Sequence, residues 1–250
     1  EDRTPTMVNL ILDFFGELEI KASVFFVGDV AKKHPSLVLR ASNEGHEIGL
    51  HGHEHVPISS LSPSEFRTET YAARNYLQDI SNQPINGFRA PMMSVVPESS
   101  WALSIISELG FLYSSSVLPA SSLLYGWPGL PQQPFLWSGG LIEFPCPLLR
   151  LFGLKIPYLG GTYLRLFPDF LRRFGLQNSN SKEILWTYCH PWEFDNNEPY
   201  HNLSHVGPLA NRIAWLRRSR MLNRMRKVLS GSVGPPLGEI ANKINKDALP

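Results

Sequence analysis

The sequence predicts an α/β fold in which helices pack outside a parallel β-sheet. Short apolar runs typical of buried strands alternate with segments of helical apolar spacing through the first half of the 250-residue chain. Hydrophobic residues make up 43% of the chain and charged residues 18%, which is typical of a globular protein with a sizeable core. Both observations favour a single domain over residues 1–250, with a core over about 1–230 and a C-terminal tail over 231–250.

The first predicted elements have clear boundaries. A helix is predicted over "TMVNLILDFFGEL", with Thr4 and Pro5 at its N-terminal end, and "ASVFFVG" follows as a buried strand. The next helix, "DVAKKHPSLVLRASNEG", is split or restarted by Pro35 and closed by Gly45. The segment "HEIGLH" is strand-like.

A capping box begins the next predicted helix, and the alternation then continues. The segment "SPSE" at residues 62–65 starts a helix that runs to about Ser81. The strand "INGFRAP", the helix "PESSWALSIISELG" ending at Gly110 and the strand "FLYSS" follow. Residues 117–162 contain many Pro and Gly residues and are expected to be irregular. The segment "EILWTYCH" at 183–190 is predicted as a strand, and "GPLANRIAWLRRSRMLNRMRKVL" as one long helix.

Composition excludes several classes of protein. The net charge of +1 gives no argument for nucleic acid as a partner. Cys146 and Cys189 form neither a disulfide framework nor a CxxC metal motif. The longest apolar stretch is interrupted by charged residues, Pro and Gly, so no transmembrane segment is expected. The basic run over 217–227 is interpreted as the solvated face of an amphipathic helix; the alternative is a surface for an anionic polymer or membrane.

A histidine cluster follows one of the predicted strands. Half of the eight histidines lie in one short segment, at His46, His51, His53 and His55. A helical turn here would place His51 and His55 on one face and form half of a metal site, with the other two as bystanders. The alternative is a polar loop that contains histidines by chance. The same spacing at His201 and His205 lies in a polar loop with no strand before it, and we interpret that pair as solvated surface.

Two further polar residues end predicted strands. Arg89 ends "INGFRAP" and His190 ends "EILWTYCH". Because the chemistry of parallel α/β folds gathers at the carboxyl ends of strands, these residues and the histidine pair are candidates for one site. Two imidazoles alone leave a zinc site incomplete, since zinc needs a third protein ligand and an open position for water.

These segments resemble the motifs of the polysaccharide deacetylases (NodB-homology family, carbohydrate esterase family 4). In that family a strand like "KATFFVxG" precedes "GHEIxxHxxxH", as "KASVFFVG" precedes "GHEIGLHGHEH" here. The segment "GFRAP" at 87–91 is similar to the family's RxP motif. The segment "YCHPWEFD" at 188–195 resembles its last motif, in the HPWE form of a subfamily encoded near bacterial exopolysaccharide clusters. The match runs in order over most of residues 5–230.

The resemblance implies a distorted (β/α) barrel and metal-assisted removal of acetyl groups from N-acetylated sugars of a polysaccharide. It implies that His51 and His55 bind a divalent metal, most often zinc. Arg89 matches the arginine that orients the catalytic carboxylate, and a structural ion pair is the alternative. His190 matches the general acid that protonates the leaving amine, and a buried hydrogen-bonded histidine is the alternative.

The beginning of the chain departs from the family pattern. Relatives start with a strand whose aspartates supply the catalytic base and the third metal ligand. Counting back from "KAS", Asp2 lies near the metal-binding position and Glu1 near the base, although both could be loop charges. We therefore expect the first strand to be missing or truncated, and residues 1–250 alone to bind metal weakly.

Other departures are smaller, and two function classes remain open. Ser114 stands where many relatives have an aspartate, and Met92 where many have a tyrosine that acts through its backbone N–H. Trp192 is a candidate wall for a sugar ring, or a packing residue. The first class is a metal-dependent hydrolase of N-acetylated sugars, or a relative acting on a non-sugar C–N bond. The second is a non-catalytic carbohydrate-binding or scaffold protein that retains the fold.

Overall fold

The computed structural model describes residues 2–122, 124–202, 207–231 and 233–250. The helices are α1 (Thr4–Glu17), α2 (Gly28–Lys33), α3 (Pro35–Asn43), α4 (Pro63–Ser81), α5 (Trp101–Glu108), α6 (Gly161–Leu166), α7 (Asp169–Gln177), α8 (Pro208–Trp215), α9 (Met221–Leu229) and α10 (Leu237–Lys243). The strands are β1 (Ser23–Phe26), β2 (Glu47–Leu50), β3 (Gly87–Phe88), β4 (Tyr113–Ser114), β5 (Phe135–Leu136), β6 (Ile142–Glu143), β7 (Leu148–Leu151) and β8 (Leu154–Pro157). Each described helix is too short or too polar to cross a lipid bilayer.

The chain divides into two compact units, which are described separately. The sheet unit comprises Phe15–Cys146, Lys182–Ile184 and Pro235–Pro250. The hairpin unit comprises Glu1–Phe14, Pro147–Ser181 and Leu185–Gly234. The single domain over 1–250 stays a prediction. Within the sheet unit, α10 of the predicted tail is anchored, because Leu237 N–H donates to Ser23 Oγ at 2.9 Å and Gly238 N–H to Glu47 Oε2 at 2.9 Å.

The sheet unit contains the predicted parallel sheet. Its strand order is β1-β2-β3-β4-β6-β5, and every neighbouring pair is parallel except β5 with β6. The register pairs Phe26 with Leu50, and Leu50 with Phe88. Helix α4 packs against β2, and the ring of Phe66 meets Phe88 edge-on at 5.7 Å between centroids. The α/β fold class is therefore confirmed, with one antiparallel strand at the edge.

Local sequence signals set the helix boundaries as predicted. Ser62 Oγ accepts the Glu65 N–H at 3.3 Å while Glu65 Oε2 accepts the Ser62 N–H at 2.8 Å, so the capping box at the start of α4 is complete. Pro35 begins α3 after a break from α2. Gly45 and Gly110, with φ of +80° and +82°, follow the C-terminal ends of α3 and α5 in the left-handed conformation that glycine adopts at little cost.

The predicted strand over 183–190 is wrong. That segment makes one isolated parallel bridge, between Gly160 and Tyr188. The Leu159 carbonyl accepts the Thr187 hydroxyl at 2.6 Å as well as the Tyr188 N–H at 3.3 Å. A side-chain hydroxyl and a backbone N–H therefore share this acceptor, and the pairing does not extend into a ladder.

The predicted long helix near the C-terminus is also wrong, because it is interrupted between α8 and α9. Arg217 takes a left-handed φ of +60°. The buried guanidinium of Arg165 donates to the Leu216 carbonyl at 2.6 Å, and Arg218 Nε donates to the Ala214 carbonyl at 2.8 Å. Side chains therefore bind the carbonyls that a continuous helix would have bonded internally. Arg218 is buried, so the basic run is not wholly a solvated face.

The region over 117–162 contains more structure than its composition suggests. Strands β5 and β6 lie in it, and β7 and β8 form an antiparallel hairpin. The turn residues Phe152 and Gly153 both have positive φ, of +47° and +79°. Two successive left-handed residues are the geometry of the tight turns that match the twist of paired strands.

Candidate active site

Polar residues of the sheet unit follow the carboxyl ends of neighbouring strands. The His51 N–H donates to the Phe26 carbonyl at 2.8 Å, and the Arg89 N–H donates to the Leu50 carbonyl at 2.9 Å. The Ser115 N–H donates to Phe88 O at 3.0 Å. These hydrogen bonds extend the parallel ladder by one residue on each strand, so His51, Arg89 and Ser115 lie along one edge of the sheet.

His51 and His55 lie together at this edge. Their ring centroids are 5.0 Å apart and the ring planes are inclined by 67°. Residues 53–55 form a bend and not the helical turn that would place both rings on one helix face. Gly52, with φ of +75°, turns the chain sharply, and the two rings meet without a helix.

A hydrogen bond fixes the protonation of the His51 ring. Its Nδ1 lies 2.8 Å from the Arg89 carbonyl oxygen. Because a carbonyl oxygen only accepts, Nδ1 carries the proton, and the neutral ring has its lone pair on Nε2. A histidine whose second nitrogen is held by a backbone carbonyl is the usual form of a metal-binding imidazole.

The two predicted bystander histidines have other partners. His46 is buried, its Nδ1 accepts the Ala22 N–H at 3.2 Å, and burial lowers its pKa. His53 Nε2 lies 3.3 Å from Asp29 Oδ1, and its carbonyl accepts the Asp29 N–H at 2.9 Å. These contacts give both histidines a structural role in the fold. Their exclusion from a metal site stays a prediction.

The donor set fits half of a metal site. Two imidazoles in contact suit zinc and similar divalent ions. Within the described ranges, no group of three or more His, Cys, Asp or Glu residues could hold a metal ion. Asp2 belongs to the hairpin unit, where its exposed Oδ1 accepts the Thr4 N–H at 3.0 Å at the start of α1. Glu1 lies outside the described residues.

Arg89 is held in place by an aromatic ring and a hydroxyl group. Its guanidinium carbon lies 4.2 Å from the centroid of the Phe25 ring. Its Nη2 donates to Ser115 Oγ at 3.0 Å, and that hydroxyl donates to the Phe144 carbonyl at 3.2 Å. The side chain is thus held by Phe25 of β1 and by Ser115, which follows β4.

The turn after Arg89 holds its backbone in an uncommon conformation. Met92 and Met93 both have left-handed φ, of +57° and +54°. Such conformations cost about 1–3 kcal/mol each for residues other than glycine, and they concentrate at functional sites. The side chain of Met92 is exposed. The Ala90 N–H, at the base of the turn, donates to Ser116 Oγ at 2.9 Å.

A buried carboxylate that our sequence analysis did not identify supports this turn. Glu143 is fully buried on β6, in register with Ser114. Its Oε1 accepts the N–H groups of Ser116 at 2.7 Å and Val117 at 3.3 Å, and its Oε2 accepts Trp137 Nε1–H at 3.0 Å. Burial raises the pKa of the Glu143 carboxyl. An acid inside the apolar run "LIEFPC" was the available signal.

Glu143 should make the stability of the protein depend on pH. A carboxyl whose pKa is raised by folding stabilises the fold below its unfolded-state value of about 4.5, and this contribution is lost as pH rises through the folded value. Glu143→Gln keeps an uncharged acceptor for the Ser116 N–H. We expect the variant to gain stability relative to the wild type as pH rises from 4 to 7 in urea unfolding measurements. The exposed Glu54→Gln serves as the control, and parallel curves for wild type and Glu143→Gln would contradict the assignment.

In the hairpin unit, His190 and Trp192 form a stacked pair. The ring centroids are 5.7 Å apart and the planes differ by 16°. The guanidinium carbons of Arg165 and Arg218 lie 5.4 Å and 5.0 Å from the Trp192 ring centroid. The His190 side chain is 40% exposed, so the alternative of a buried histidine is wrong.

Comparison with protein families divides the chain near residue 114. Residues 1–113 match the polysaccharide deacetylase family, and residues 115–233 match a domain of unknown function (DUF3473). Over 93 residues the chain is 29% identical to a peptidoglycan-N-acetylglucosamine deacetylase of Bacillus cereus, covering 37% of this chain and 34% of that protein. Over 101 residues it is 25% identical to a peptidoglycan-N-acetylmuramic acid deacetylase of Bacillus subtilis, covering 40% and 38%. The chain thus spans about a third of the length of these curated relatives.

Solved structures show the same fold. A Mycobacterium smegmatis protein assigned to the polysaccharide deacetylases is similar with a TM-score of 0.63 at 18% identity, over 98% of this chain and 78% of that one. A family 4 carbohydrate esterase pseudoenzyme from Bacillus anthracis has a TM-score of 0.52 at 14% identity, over 97% and 62%. An allantoinase has a TM-score of 0.53 at 15% identity, over 90% and 74%.

The protein therefore has the α/β fold of the family 4 carbohydrate esterases, with a mixed sheet consistent with a distorted NodB-type barrel. Residues 1–113 are similar to the polysaccharide deacetylase family, and two peptidoglycan deacetylases are among the curated proteins that the chain resembles.

Proposed function

We propose that the protein is a metal-dependent hydrolase that removes acetyl groups from N-acetylated sugars of a polysaccharide. The observation that carries this proposal is the His51–His55 pair at the carboxyl edge of the sheet, with the His51 tautomer held by the Arg89 carbonyl. The pair follows a strand in the part of the chain that matches the deacetylase family. An interpretation as a solvated polar loop does not account for the held tautomer.

Residue roles in the proposal follow the family resemblance. His51 and His55 would hold a divalent ion, with zinc the best match to imidazole ligands and Asp2 as the third ligand. When bound, such an ion polarises a carbonyl group and lowers the pKa of water. Arg89 would orient the base, a role that the resemblance gives to Glu1.

The remaining roles concern the substrate and the leaving group. A backbone N–H in the strained turn at Met92 would donate to the oxyanion, since fixed donors stabilise a developing negative charge. His190 would donate a proton to the amine as the C–N bond breaks. Trp192 would offer its face to a sugar ring. The HPWE form of the last motif favours an exopolysaccharide of a bacterium as the polymer.

Metal removal tests the proposal. We expect the natural protein to release acetate from an N-acetylated chitooligosaccharide, to lose this activity after treatment with a chelator, and to regain it on addition of zinc. Magnesium serves as the control, because its preference for oxygen ligands predicts little recovery at an imidazole site. Absence of acetate release in the presence of zinc, together with measurable binding of the oligosaccharide, would replace the proposal with the non-catalytic carbohydrate-binding alternative.

A further inference from the structure

Glu193 makes two contacts with the candidate general acid. Its Oε2 accepts the His190 backbone N–H at 2.9 Å and lies 3.3 Å from His190 Nδ1. The Glu193 side chain is fully buried, whereas the His190 side chain is 40% exposed. The buried carboxylate of Glu193 therefore lies next to Nδ1 of the His190 ring, which is partly exposed to solvent.

We propose that Glu193 is a positioning residue that holds the His190 imidazole with its proton on Nδ1. An ionised carboxylate only accepts hydrogen bonds, so the nitrogen that faces it must be the protonated one. In the neutral ring the lone pair is then on Nε2, and in the imidazolium the proton available for transfer is on Nε2. The proposal rests on the proposed function of His190 as the general acid.

The surroundings of Glu193 fix the position of its carboxylate. Arg165, also fully buried, donates from Nε to Glu193 Oε1 at 3.2 Å. The same guanidinium is held by the Leu216 carbonyl at 2.6 Å and by Thr162 Oγ1 at 3.3 Å. A Cβ atom on Gly161 would lie 1.7 Å from Glu193 Oε2, so the carboxylate occupies space that only glycine leaves open. Compensation by Arg165 allows a charged carboxylate to remain buried there.

The imidazole is constrained on a second side. Trp192 stacks on the ring of His190, so the plane of the imidazole is set by an aromatic face while its Nδ1 is set by Glu193. The His190 ring is thus oriented for proton transfer before substrate binds.

The proposed step is a balanced proton transfer. As the C–N bond of the tetrahedral intermediate breaks, its electron pair moves to nitrogen, which takes the Nε2 proton of the His190 imidazolium. The imidazole becomes neutral and keeps its Nδ1 proton toward Glu193. The carboxylate accepts the Nδ1–H hydrogen bond both before and after the transfer.

A double-mutant cycle tests this role on the natural protein, with zinc and an N-acetylated chitooligosaccharide as the probe. We expect Glu193→Gln to lower kcat by about 10- to 100-fold, the usual effect of losing the group that orients a functional histidine, with KM near the wild-type value. Glu193→Asp should restore part of the loss. In a His190→Ala background, Glu193→Gln should cause no further loss. An equal loss in that background would show a structural role and overturn the proposal.

A spectroscopic measurement separates this inference from the proposed function. With ¹⁵N-labelled histidine at alkaline pH, we expect the wild-type His190 ring as the Nδ1-protonated tautomer, assigned by the signal that His190→Ala lacks. In Glu193→Gln the tautomers should mix, while Asp169→Asn, which removes acceptors of Arg224 and Lys227 in the same unit, should leave the wild-type signal. An Nε2-protonated ring in the wild type overturns the inference even if the Gln variant fails to fold. Failure of the wild type to release acetate would instead reject the proposed function.

Discussion

Replacing His51 or His55 with alanine is expected to remove bound zinc and to abolish acetate release, whereas His53→Ala should retain both. The two rings are in contact at the sheet edge, and each would supply one of very few ligands to the ion. Loss of either leaves one predicted imidazole ligand, so we expect metal affinity to fall by more than about 10²-fold, the upper end of the effect of losing only an orienting partner. Zinc per protein molecule, measured on the purified variants, reports the effect directly.

His53→Ala is a matched control because it changes the same residue type in the same bend. His53 Nε2 lies 3.3 Å from Oδ1 of Asp29, a residue of α2. Removing the His53 side chain therefore removes this contact but no predicted metal ligand. The thermal midpoint of each variant shows whether a loss of zinc follows from unfolding. Equal zinc loss in all three variants, or loss only with His53→Ala, would contradict the assignment of His51 and His55.

Prediction from the sequence was most accurate where the boundary of a helix depends on residues close to it in the chain. The capping box at Ser62, the break at Pro35 and the left-handed Gly45 act over one turn of chain, and the structure contains each of them. The positions of the polar residues at the carboxyl ends of the strands were predictable for the same reason. His51 and Arg89 each directly follow a strand, and parallel pairing brings their backbones to neighbouring positions.

The helix and strand predictions that were wrong fall where the backbone contacts groups that are distant in the sequence. Arg165 and Arg218 bind carbonyls at the end of α8, so a segment with continuous helical spacing is interrupted there. The predicted strand over 183–190 is reduced to a single bridge, beside which the Thr187 hydroxyl and the Tyr188 N–H share the Leu159 carbonyl. Apolar periodicity contains no information about such contacts, because Arg165 lies 51 residues from Leu216 and Thr187 lies 28 residues from Leu159.

The burial of two acids was not predicted for a related reason: Glu143 was not identified, and Glu193 was considered only as a possible wall of the sugar site. Glu143 and Glu193 are both fully buried, yet their neighbours in the sequence do not show which donors will surround them. Glu143 is stabilised by backbone N–H groups that follow β4, and Glu193 by an arginine 28 residues away. A buried charge is tolerated only with such partners, so recognising these residues requires the fold.

His190→Ala should lower the turnover of an N-acetylated oligosaccharide by about 10²- to 10⁴-fold, the usual contribution of a general acid, with zinc retained. The amine of the substrate is a poor leaving group until it is protonated, whereas a nitrophenolate leaves without a proton. The same variant should therefore hydrolyse 4-nitrophenyl acetate at nearly the wild-type rate. This pair of substrates separates loss of proton donation from loss of the site as a whole.

The exposed His201→Ala, in the same unit, controls for removal of a histidine as such. Unchanged release of acetate from the oligosaccharide by His190→Ala would rule out the general-acid role. An equal loss on both substrates would assign His190 to the integrity of the site, because an acid that acts only on the leaving group has no effect where that group needs no proton.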